Sequence, residues 1–261
     1  MKISVITVTK NNKNGLFCAI ESVRSQSYPN IEHVIVDGNS TDGTLDILRQ
    51  AQDDRTVIIS EKDDGIYDAI NKGIAISTGD VIGFLHSDDL FNNGTVLESI
   101  MKNIEKEKTD SIYGDLVYVN AVNTDNVLRY WKAGEPSNIK RDDKGIAGAM
   151  MKGWMPPHPA LFVKKAIYDK HGLYDTSLKI SSDYEMILRL FWKYKISTAY
   201  LPKIITKMRW GGASNKNFSN LVIKSKEDYA AMKKNDLPLR SFALVLKNIR
   251  KLPQFISNGY N

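Results

Sequence analysis

The chain has 261 residues, of which 42% are hydrophobic and 25% charged, with a formal net charge of +6. This composition is typical of a folded globular protein and excludes a largely disordered chain. The single cysteine, Cys18, excludes an internal disulfide framework and is typical of a protein in a reducing cytosol. The positive charge favours anionic partners, but it does not choose among nucleic acid, nucleotide diphosphates and acidic lipid.

Neither a signal peptide nor a membrane span is expected. The apolar stretch after Met1 is short and rich in Thr, and no apolar run approaches the roughly 18 residues that a span requires. The sequence therefore predicts a cytoplasmic protein, either free or held at the inner face of the cytoplasmic membrane.

The N-terminal third alternates between short β-branched runs and helical patterns. The predicted strands are Ile3–Thr9, His33–Asp37, Thr56–Ser60 and Val81–Leu85, and the predicted helices are Leu16–Gln26, Thr44–Gln52 and Ile66–Ile76. The strands lack apolar/polar alternation, which indicates burial on both faces. Repeated βαβ units predict an α/β fold with a Rossmann-like, mostly parallel sheet and helices on both faces.

The rest of the chain is less regular. A helix is predicted at Thr95–Lys106, followed by a hairpin whose strands are Ser111–Val119 and a second strand ending at Trp131. A long loop is predicted at Lys132–Pro157, helices near Pro159–His171 and Asp183–Lys193, and strands at Ile196–Tyr200 and Ile204–Trp210.

The C-terminal stretch, Lys224–Lys251, is basic and has helical spacing of its apolar residues. Phe242, Val245, Leu246 and Ile249 recur at this spacing, with Lys247 beside them. Such a helix either lies on an anionic membrane surface or packs on the domain, and both interpretations stay open.

Polar clusters follow each predicted strand of the first third. In an open α/β sheet the ligand crevice lies beyond the carboxyl ends of the strands. Asp88 and Asp89 follow one apolar strand, where carboxylates can hold a hard divalent cation against two phosphates. A helix cap or a solvated turn is the alternative for such a pair. Asp37 ends another strand, where it can accept hydrogen bonds from a base or a ribose.

Four segments in this order resemble glycosyltransferase family 2, whose members have a GT-A fold. They are Ser4–Thr9, Val36–Thr44, Asp63–Gly73 and Ser87–Asp89, and weaker similarity runs to about Ser214. The resemblance implies an inverting, metal-dependent transferase that uses a nucleotide diphosphate sugar, commonly a UDP-sugar. It also implies a lipid-diphosphate-linked saccharide acceptor in O-antigen, capsule or colanic-acid synthesis.

The resemblance divides the chain into three parts. Residues 1–91 would form the nucleotide-sugar-binding half, residues 92–215 the acceptor-binding and catalytic half, and residues 216–261 a basic helical tail.

The resemblance also implies roles for residues on the donor side. Thr7 and Thr9 would lie beside the nucleoside, and Asp37 and Asp63 would contact the base or ribose. Asn71 and Lys72 would face the donor from a helix. Many members carry an Arg just before this Asn, where this chain has Ile70, so Ile70 cannot make the phosphate contact of that Arg, and Lys72 is the candidate to replace it.

The metal and diphosphate contacts are implied in the same way. Asp89 would be the main ligand of Mn²⁺ or Mg²⁺, with Asp88 near the ribose or the donor sugar. His158 would approach the metal or the diphosphate, although a single His is more often a structural hydrogen-bonding residue. Arg209, near a glycine-containing loop, would contact the diphosphate.

The expected catalytic base lies in Ser181-Ser182-Asp183-Tyr184-Glu185. Asp183 aligns with the base of the family, and Glu185 is the reserve candidate. The base would take a proton from the acceptor hydroxyl as its oxygen attacks the anomeric carbon. Without the resemblance, the same residues would be a helix cap and its first turn.

The sequence supports three other functions less well. A sugar nucleotidyltransferase would need a Gly-rich, basic first loop, which residues 9–15 lack. A non-catalytic nucleotide- or glycan-binding module would not need a base beside a metal ligand. Nucleic acid is not predicted as a partner, because the positive charge is dispersed and no binding motif is present.

Overall fold

The computed structural model describes residues 1–134, 143–211 and 218–250. Nine strands within these ranges form one sheet. The strands are β1 (Ile3–Thr9), β2 (Ile31–Asp37), β3 (Thr56–Ser60), β4 (Val81–Phe84), β5 (Asp89–Phe91), β6 (Ser111–Val119), β7 (Val127–Trp131), β8 (Leu161–Lys164) and β9 (Thr198–Arg209).

Nine α-helices accompany this sheet in the described residues. They are α1 (Lys13–Arg24), α2 (Thr44–Ala51), α3 (Ile66–Ile76), α4 (Val96–Glu107), α5 (Asp143–Met151), α6 (Lys165–His171), α7 (Ser182–Ile187), α8 (Phe218–Lys234) and α9 (Arg240–Ile249). A 3₁₀ turn at His158–Ala160 precedes β8, and a π-helical segment at Leu188–Lys193 continues α7.

The strand order is β3-β2-β1-β4-β8-β6-β9-β5, and β7 pairs with β6 beside this path. The first four strands of this order are parallel, and β8 joins β4 to β6 through antiparallel pairs. The predicted α/β class is thereby confirmed. All four strand predictions of the first third overlap the observed strands.

Helices cover both faces of the sheet, as expected from strands that are apolar throughout. On one face, Ile3 and Val5 of β1 share a core with residues of α1 and α4. On the other, Ile6 and Val8 pack with α3 and with helices from the C-terminal half. A Cβ at Gly73 would come within 2.6 Å of Ile6, so glycine lets α3 lie close to the sheet.

The structure corrects two predictions around β8 and β9. The predicted helix near Pro159–His171 is helical only in part, because the apolar run Leu161–Lys164 pairs with β4 and β6 as β8. The two strands predicted around Pro202 are one strand, β9. Its register against β6 shifts near Gly114 and Asp115, and this irregularity accommodates the proline.

The predicted loop Lys132–Pro157 also needs correction. It contains α5, and residues 135–142 of it lie outside the described residues. Residues 212–214 of the predicted glycine loop and Lys251 lie outside them as well.

The basic C-terminal stretch forms two helices that pack on the domain. Ala231, Met232 and Ala243 belong to the same core cluster as α3 and β4. The face of α9 that packs inward is not the predicted apolar one: Ala243 and Lys247 are buried, whereas Phe242 and Val245 are each 55% exposed. Among the described residues, no helix combines the length and apolar character needed to cross a membrane.

Candidate active site

A cavity of about 870 Å³ opens where β1 and β4 end and where α3 and α7 begin. Seven of the eleven residues assigned to the site by sequence line it. They are Thr9, Asp63, Asp88, Asp89, His158, Asp183 and Arg209. The fold thus brings carboxylates of the first half of the chain, such as Asp88 and Asp89, and Asp183 of the second half to one crevice.

Asp89 is the most deeply buried carboxylate of this cavity. It opens the short strand β5, pairs with Met208 of β9, and is 1% exposed. Its Oδ2 has no hydrogen-bond partner. Burial, followed by the negative charge of Asp88, holds the pKa of Asp89 well above its usual range, and Arg209 opposes this shift.

An unpartnered, desolvated carboxylate oxygen is a good ligand for a hard divalent cation. No cluster of three or more acidic, His or Cys side chains suited to a metal occurs in the described residues. Mg²⁺ is often held by one or two carboxylates together with phosphate oxygens of the substrate and water. Asp89 with Asp88 fits that donor set, in which a bound diphosphate supplies the remaining oxygens.

Arg209 is a cation beside Asp88 and Asp89. It is the last residue of β9, and its Nη1 lies 3.4 Å from the carbonyl oxygen of Asp88. Its Nε has no hydrogen-bond partner. A planar guanidinium with an unused donor is suited to binding a phosphate oxygen.

Asp183 lies in the first turn of α7 and faces the cavity. Its Oδ1 accepts a hydrogen bond of 2.8 Å from the backbone N–H of Tyr184 and lies 3.4 Å from the hydroxyl of Tyr67. The Tyr67 hydroxyl also donates to the carbonyl oxygen of Ile180 at 2.6 Å. Burial, followed by the charge of Asp183, raises the pKa of Tyr67, so this hydroxyl stays protonated and remains a donor.

A carboxylate on α8 holds the segment that leads to Asp183. Glu227 accepts three backbone hydrogen bonds, of 2.9, 2.8 and 2.9 Å, from the N–H groups of Lys179, Ile180 and Ser181. Hydrogen bonds to a charged acceptor are among the stronger ones in proteins. Glu227 therefore positions the start of α7, and the sequence patterns did not indicate this role.

Glu185, the reserve base, points elsewhere. It is fully buried and forms ion pairs with Arg189 at 3.2 Å and Lys234 at 3.6 Å. It does not line the cavity. Its placement is that of a structural ion pair between α7 and α8.

Thr9 and Asp63 lie on the side of the cavity formed by the strand ends. The Thr9 hydroxyl is buried without a hydrogen-bond partner, so it is available to a ligand. Asp63 approaches the turn after β2 so closely that a Cβ at Gly38 would lie 2.2 Å from its Oδ2. Glycine at this position permits the approach.

Four residues assigned to the donor by sequence do not line the cavity: Thr7, Asp37, Asn71 and Lys72. The Thr7 hydroxyl donates to the carbonyl oxygen of Leu85 at 2.7 Å and lies 2.9 Å from His33 Nε2. Asp37 is fully buried and accepts hydrogen bonds from Ser40 and Ser60.

The other two of these four are engaged on α3. Asn71 exchanges two hydrogen bonds of 2.9 Å with the backbone of Tyr174. Lys72 forms ion pairs with Glu61 at 2.8 Å and Asp68 at 3.3 Å. It does not take the place of the missing Arg at Ile70 in the cavity wall.

His158 lies in the cavity wall, and its Nε2 is 2.7 Å from the hydroxyl of Tyr174. Burial lowers the pKa of His158 to about 4, so the ring is neutral at physiological pH. The hydrogen bond leaves Nδ1 as the nitrogen that can meet an ion. His86, which the sequence argument did not single out, also lines the cavity, and its buried Nδ1 has no partner. Its place just after β4 is the signal that could have identified it.

Comparison with known proteins gives the class of this protein. The model of the family described as "Glycosyl transferase family 2" matches residues 4–164, and the chain belongs to this family. An uncharacterized glycosyltransferase of Mycobacterium tuberculosis is 33% identical over 188 residues, which cover 72% of this chain and 68% of the relative. A PGL/p-HBAD biosynthesis glycosyltransferase of Mycobacterium bovis is 28% identical, with 98% of this chain and 93% of the relative covered.

Solved structures agree on the fold. A fragment of TarS from S. aureus, crystallised with UDP-GlcNAc, matches with a TM-score of 0.71 and 18% identity, covering 100% of this chain and 75% of the fragment. The chain spans 44% of a longer TarS structure. The mannosyltransferase PcManGT from Pyrobaculum calidifontis, in complex with GDP-Man and Mn²⁺, matches with a TM-score of 0.65 and 16% identity, covering 98% and 73% of the two chains. The predicted GT-A fold is confirmed, and the protein is a glycosyltransferase.

Proposed function

We propose that this glycosyltransferase transfers a sugar from a UDP-sugar, with inversion, to a lipid-diphosphate-linked saccharide in the synthesis of a bacterial surface polysaccharide. The observation that carries the proposal is that Asp183 faces the same cavity as Asp88, Asp89 and Arg209. A base and a site for a leaving diphosphate are therefore combined in one crevice. A UDP-sugar is supported by the TarS structure, which holds UDP-GlcNAc.

These placements support the following reaction. Asp183 takes the proton of an acceptor hydroxyl while that oxygen forms a bond to the anomeric carbon. The bond from the anomeric carbon to the UDP oxygen breaks, and its electron pair stays on the diphosphate. The guanidinium of Arg209 stabilises the charge that develops on this leaving group. Attack on the face opposite to the departing diphosphate inverts the anomeric configuration.

The metal would be Mn²⁺ or Mg²⁺, held mainly by Asp89 with Asp88 beside it; His158 would reach it only through Nδ1. When bound, such an ion neutralises the diphosphate as a Lewis acid. Thr9 and Asp63, which line the cavity, would contact the nucleoside. Thr7, Asp37, Asn71 and Lys72, which are bonded to protein groups, would position the strand ends and α3 instead of touching the donor.

The proposed acceptor and the proposed location at a membrane are supported by the C-terminal helices. Large apolar side chains are exposed on α8 and α9: Leu221, Val222, Tyr229, Phe242, Val245 and Ile249. Helix α8 also carries exposed lysines, including Lys226 and Lys233. An apolar surface with basic residues suits an anionic lipid surface, where a lipid-linked acceptor would be presented. Phe242→Ser should weaken co-sedimentation with phosphatidylglycerol vesicles, and unchanged binding would contradict this part of the proposal.

The proposal is tested by following UDP release from a panel of UDP-sugars with Mn²⁺ or with EDTA, in the presence of a synthetic GlcNAc-diphosphate-lipid. The expected result is metal-dependent release from one donor, lost in Asp183→Ala and Asp89→Ala. Release that persists in both variants would contradict the assignment of the site. UDP binding without turnover of any donor would favour the alternative of a nucleotide-binding module.

A further inference from the structure

The C-terminal helices contribute one wall of the same cavity. Lys224 and Asp228 of α8 and Lys247 of α9 line it together with Tyr184 of α7. This wall lies outside the span of the family model, which ends at residue 164. It is next to the proposed base, because Asp183 and Tyr184 are consecutive residues of α7.

A buried ion pair stands in this wall. Nζ of Lys247 lies 2.7 Å from Oδ2 of Asp228, and the two side chains are 4% and 2% exposed. The same Nζ lies over the ring of Tyr184, 3.2 Å from its centroid. Burial of an ion pair is costly, and an apolar pair of similar volume often stabilises a protein as well or better. Its presence at a cavity wall therefore indicates a role besides stability.

The backbone of Lys247 packs closely against the turn at Gly153. Gly153 has a φ of +75°, and a Cβ there would lie 2.3 Å from the Lys247 backbone nitrogen. Glycine thus permits α9 to approach the turn after α5 at the position where Lys247 reaches inward. The ion pair is held in place by this contact.

Two polar atoms of the wall lack a hydrogen-bond partner. Oδ1 of Asp228 and the hydroxyl of Tyr184 are both buried and unpaired. Most buried polar groups of folded proteins are hydrogen-bonded, so a missing partner calls for an explanation. A ligand hydroxyl is suited to both atoms, because it can donate to the carboxylate and also bond to the phenol.

We propose that Asp228 and Tyr184 form the acceptor-saccharide subsite of this enzyme, in which Asp228 Oδ1 accepts a hydrogen bond from a neutral sugar hydroxyl. Lys247 fixes the Asp228 carboxylate through its other oxygen. The ligand class is a saccharide whose attacking hydroxyl is delivered to Asp183. This inference rests on the proposed function, because it assumes a donor on the strand-end side of the cavity.

The test uses the full chain with UDP and Mn²⁺ and a panel of methyl glycosides as acceptor probes, observed by saturation-transfer NMR. At least one glycoside should bind to the wild type, and Asp228→Asn should weaken that binding by about tenfold or more. Tyr184→Phe keeps the ring beneath Lys247 and removes only the hydroxyl, so it should fold normally and weaken binding by about threefold to tenfold. Asp169→Asn, an exposed carboxylate on α6, is the matched control and should bind as the wild type does.

UDP affinity, measured on the same samples, separates the two proposals. It should be equal in the wild type and all three variants. Glycoside binding that is absent from the wild type, or unchanged in Asp228→Asn and Tyr184→Phe, would overturn the subsite while leaving UDP binding intact. Absence of UDP binding from the wild type would instead overturn the proposed function.

Discussion

The hydroxyl of Tyr67, on α3, lies 3.4 Å from Oδ1 of Asp183, on α7, although 116 positions separate the two residues in the chain. The same hydroxyl donates a hydrogen bond to the carbonyl oxygen of Ile180. Since α3 packs on β1 and β2 in the first half of the chain, this contact fixes the proposed base relative to the donor side. A transfer reaction needs this relationship, because the acceptor oxygen and the anomeric carbon must be aligned.

Tyr67→Phe is therefore expected to lower kcat by about tenfold, because it removes the hydrogen bond to the Ile180 carbonyl, worth about 1 kcal/mol, and the contact with Asp183 that holds the base. KM for the donor should change little. The measurement is steady-state UDP release, with Tyr194→Phe, which removes a hydroxyl from an exposed ring, as the control. An unchanged kcat in Tyr67→Phe would show that the contact does not position the base.

Glu227→Gln should also reduce kcat, by about tenfold to a hundredfold, because a neutral side chain replaces the charged acceptor of three backbone N–H groups. UDP affinity should be retained, since Glu227 does not line the cavity. Kinetics and UDP titration of this variant can be compared with Glu98→Gln, an exposed carboxylate that accepts from Ser27. Equal loss of kcat in the two variants would argue against a specific role for Glu227.

The two acidic residues of α7 should respond differently to the loss of charge. Asp183→Asn should lower kcat by at least about a hundredfold with little effect on Tm. Glu185→Gln should lower Tm by several degrees, because it leaves Arg189 and Lys234 without their buried partner. Thermal unfolding and kinetics of both variants test this, and the opposite pattern would mean that the roles are exchanged.

The donor half of the site was more predictable from the sequence than the acceptor half. Thr9, Asp63, Asp88 and Asp89 follow strands of a regular βαβ pattern, so their meeting at one sheet edge follows from topology. The same topology does not show whether Asp37 and Lys72 contact the donor. In the structure, Asp37 accepts a hydrogen bond from Ser60 and Lys72 pairs with Glu61. Sequence spacing does not show which side chains are already satisfied.

The second half was harder to predict for physical reasons. Leu161–Lys164 is a short, mostly apolar run that suits either a strand or a buried helix. It forms a strand because it pairs with β6. The contributions of Glu227, Asp228 and Lys247 depend on how α8 and α9 pack. For α9, the exposed position of Phe242 and the burial of Lys247 are the reverse of what amphipathic spacing indicates.

His33 gives a prediction for pH. It is buried, and burial lowers its pKa from 6.5 to about 3. As pH falls below 6.5 the unfolded chain takes up a proton at this residue before the native state does, so stability is lost on acidification, by up to about 1.4 kcal/mol per pH unit. His33→Gln lacks this titration.

Urea unfolding of the wild type and of His33→Gln between pH 7.5 and 4.5 isolates the effect, because the other titrating groups are common to both. The stability advantage of the wild type over the variant should shrink as pH falls. Parallel pH profiles would mean that His33 is not held neutral in the folded protein.

The proposed function requires that the cavity bind a nucleotide diphosphate together with a divalent ion at Asp89. Isothermal titration of UDP with and without Mn²⁺ tests it most directly, in the wild type, Asp89→Asn and the surface control Asp169→Asn. Mn²⁺ should tighten UDP binding by about tenfold or more in the wild type and the control, and have little effect in Asp89→Asn. No UDP binding by the wild type in either condition, or equal enhancement by Mn²⁺ in Asp89→Asn, would mean that Asp89 does not hold the ion beside a nucleotide in this cavity.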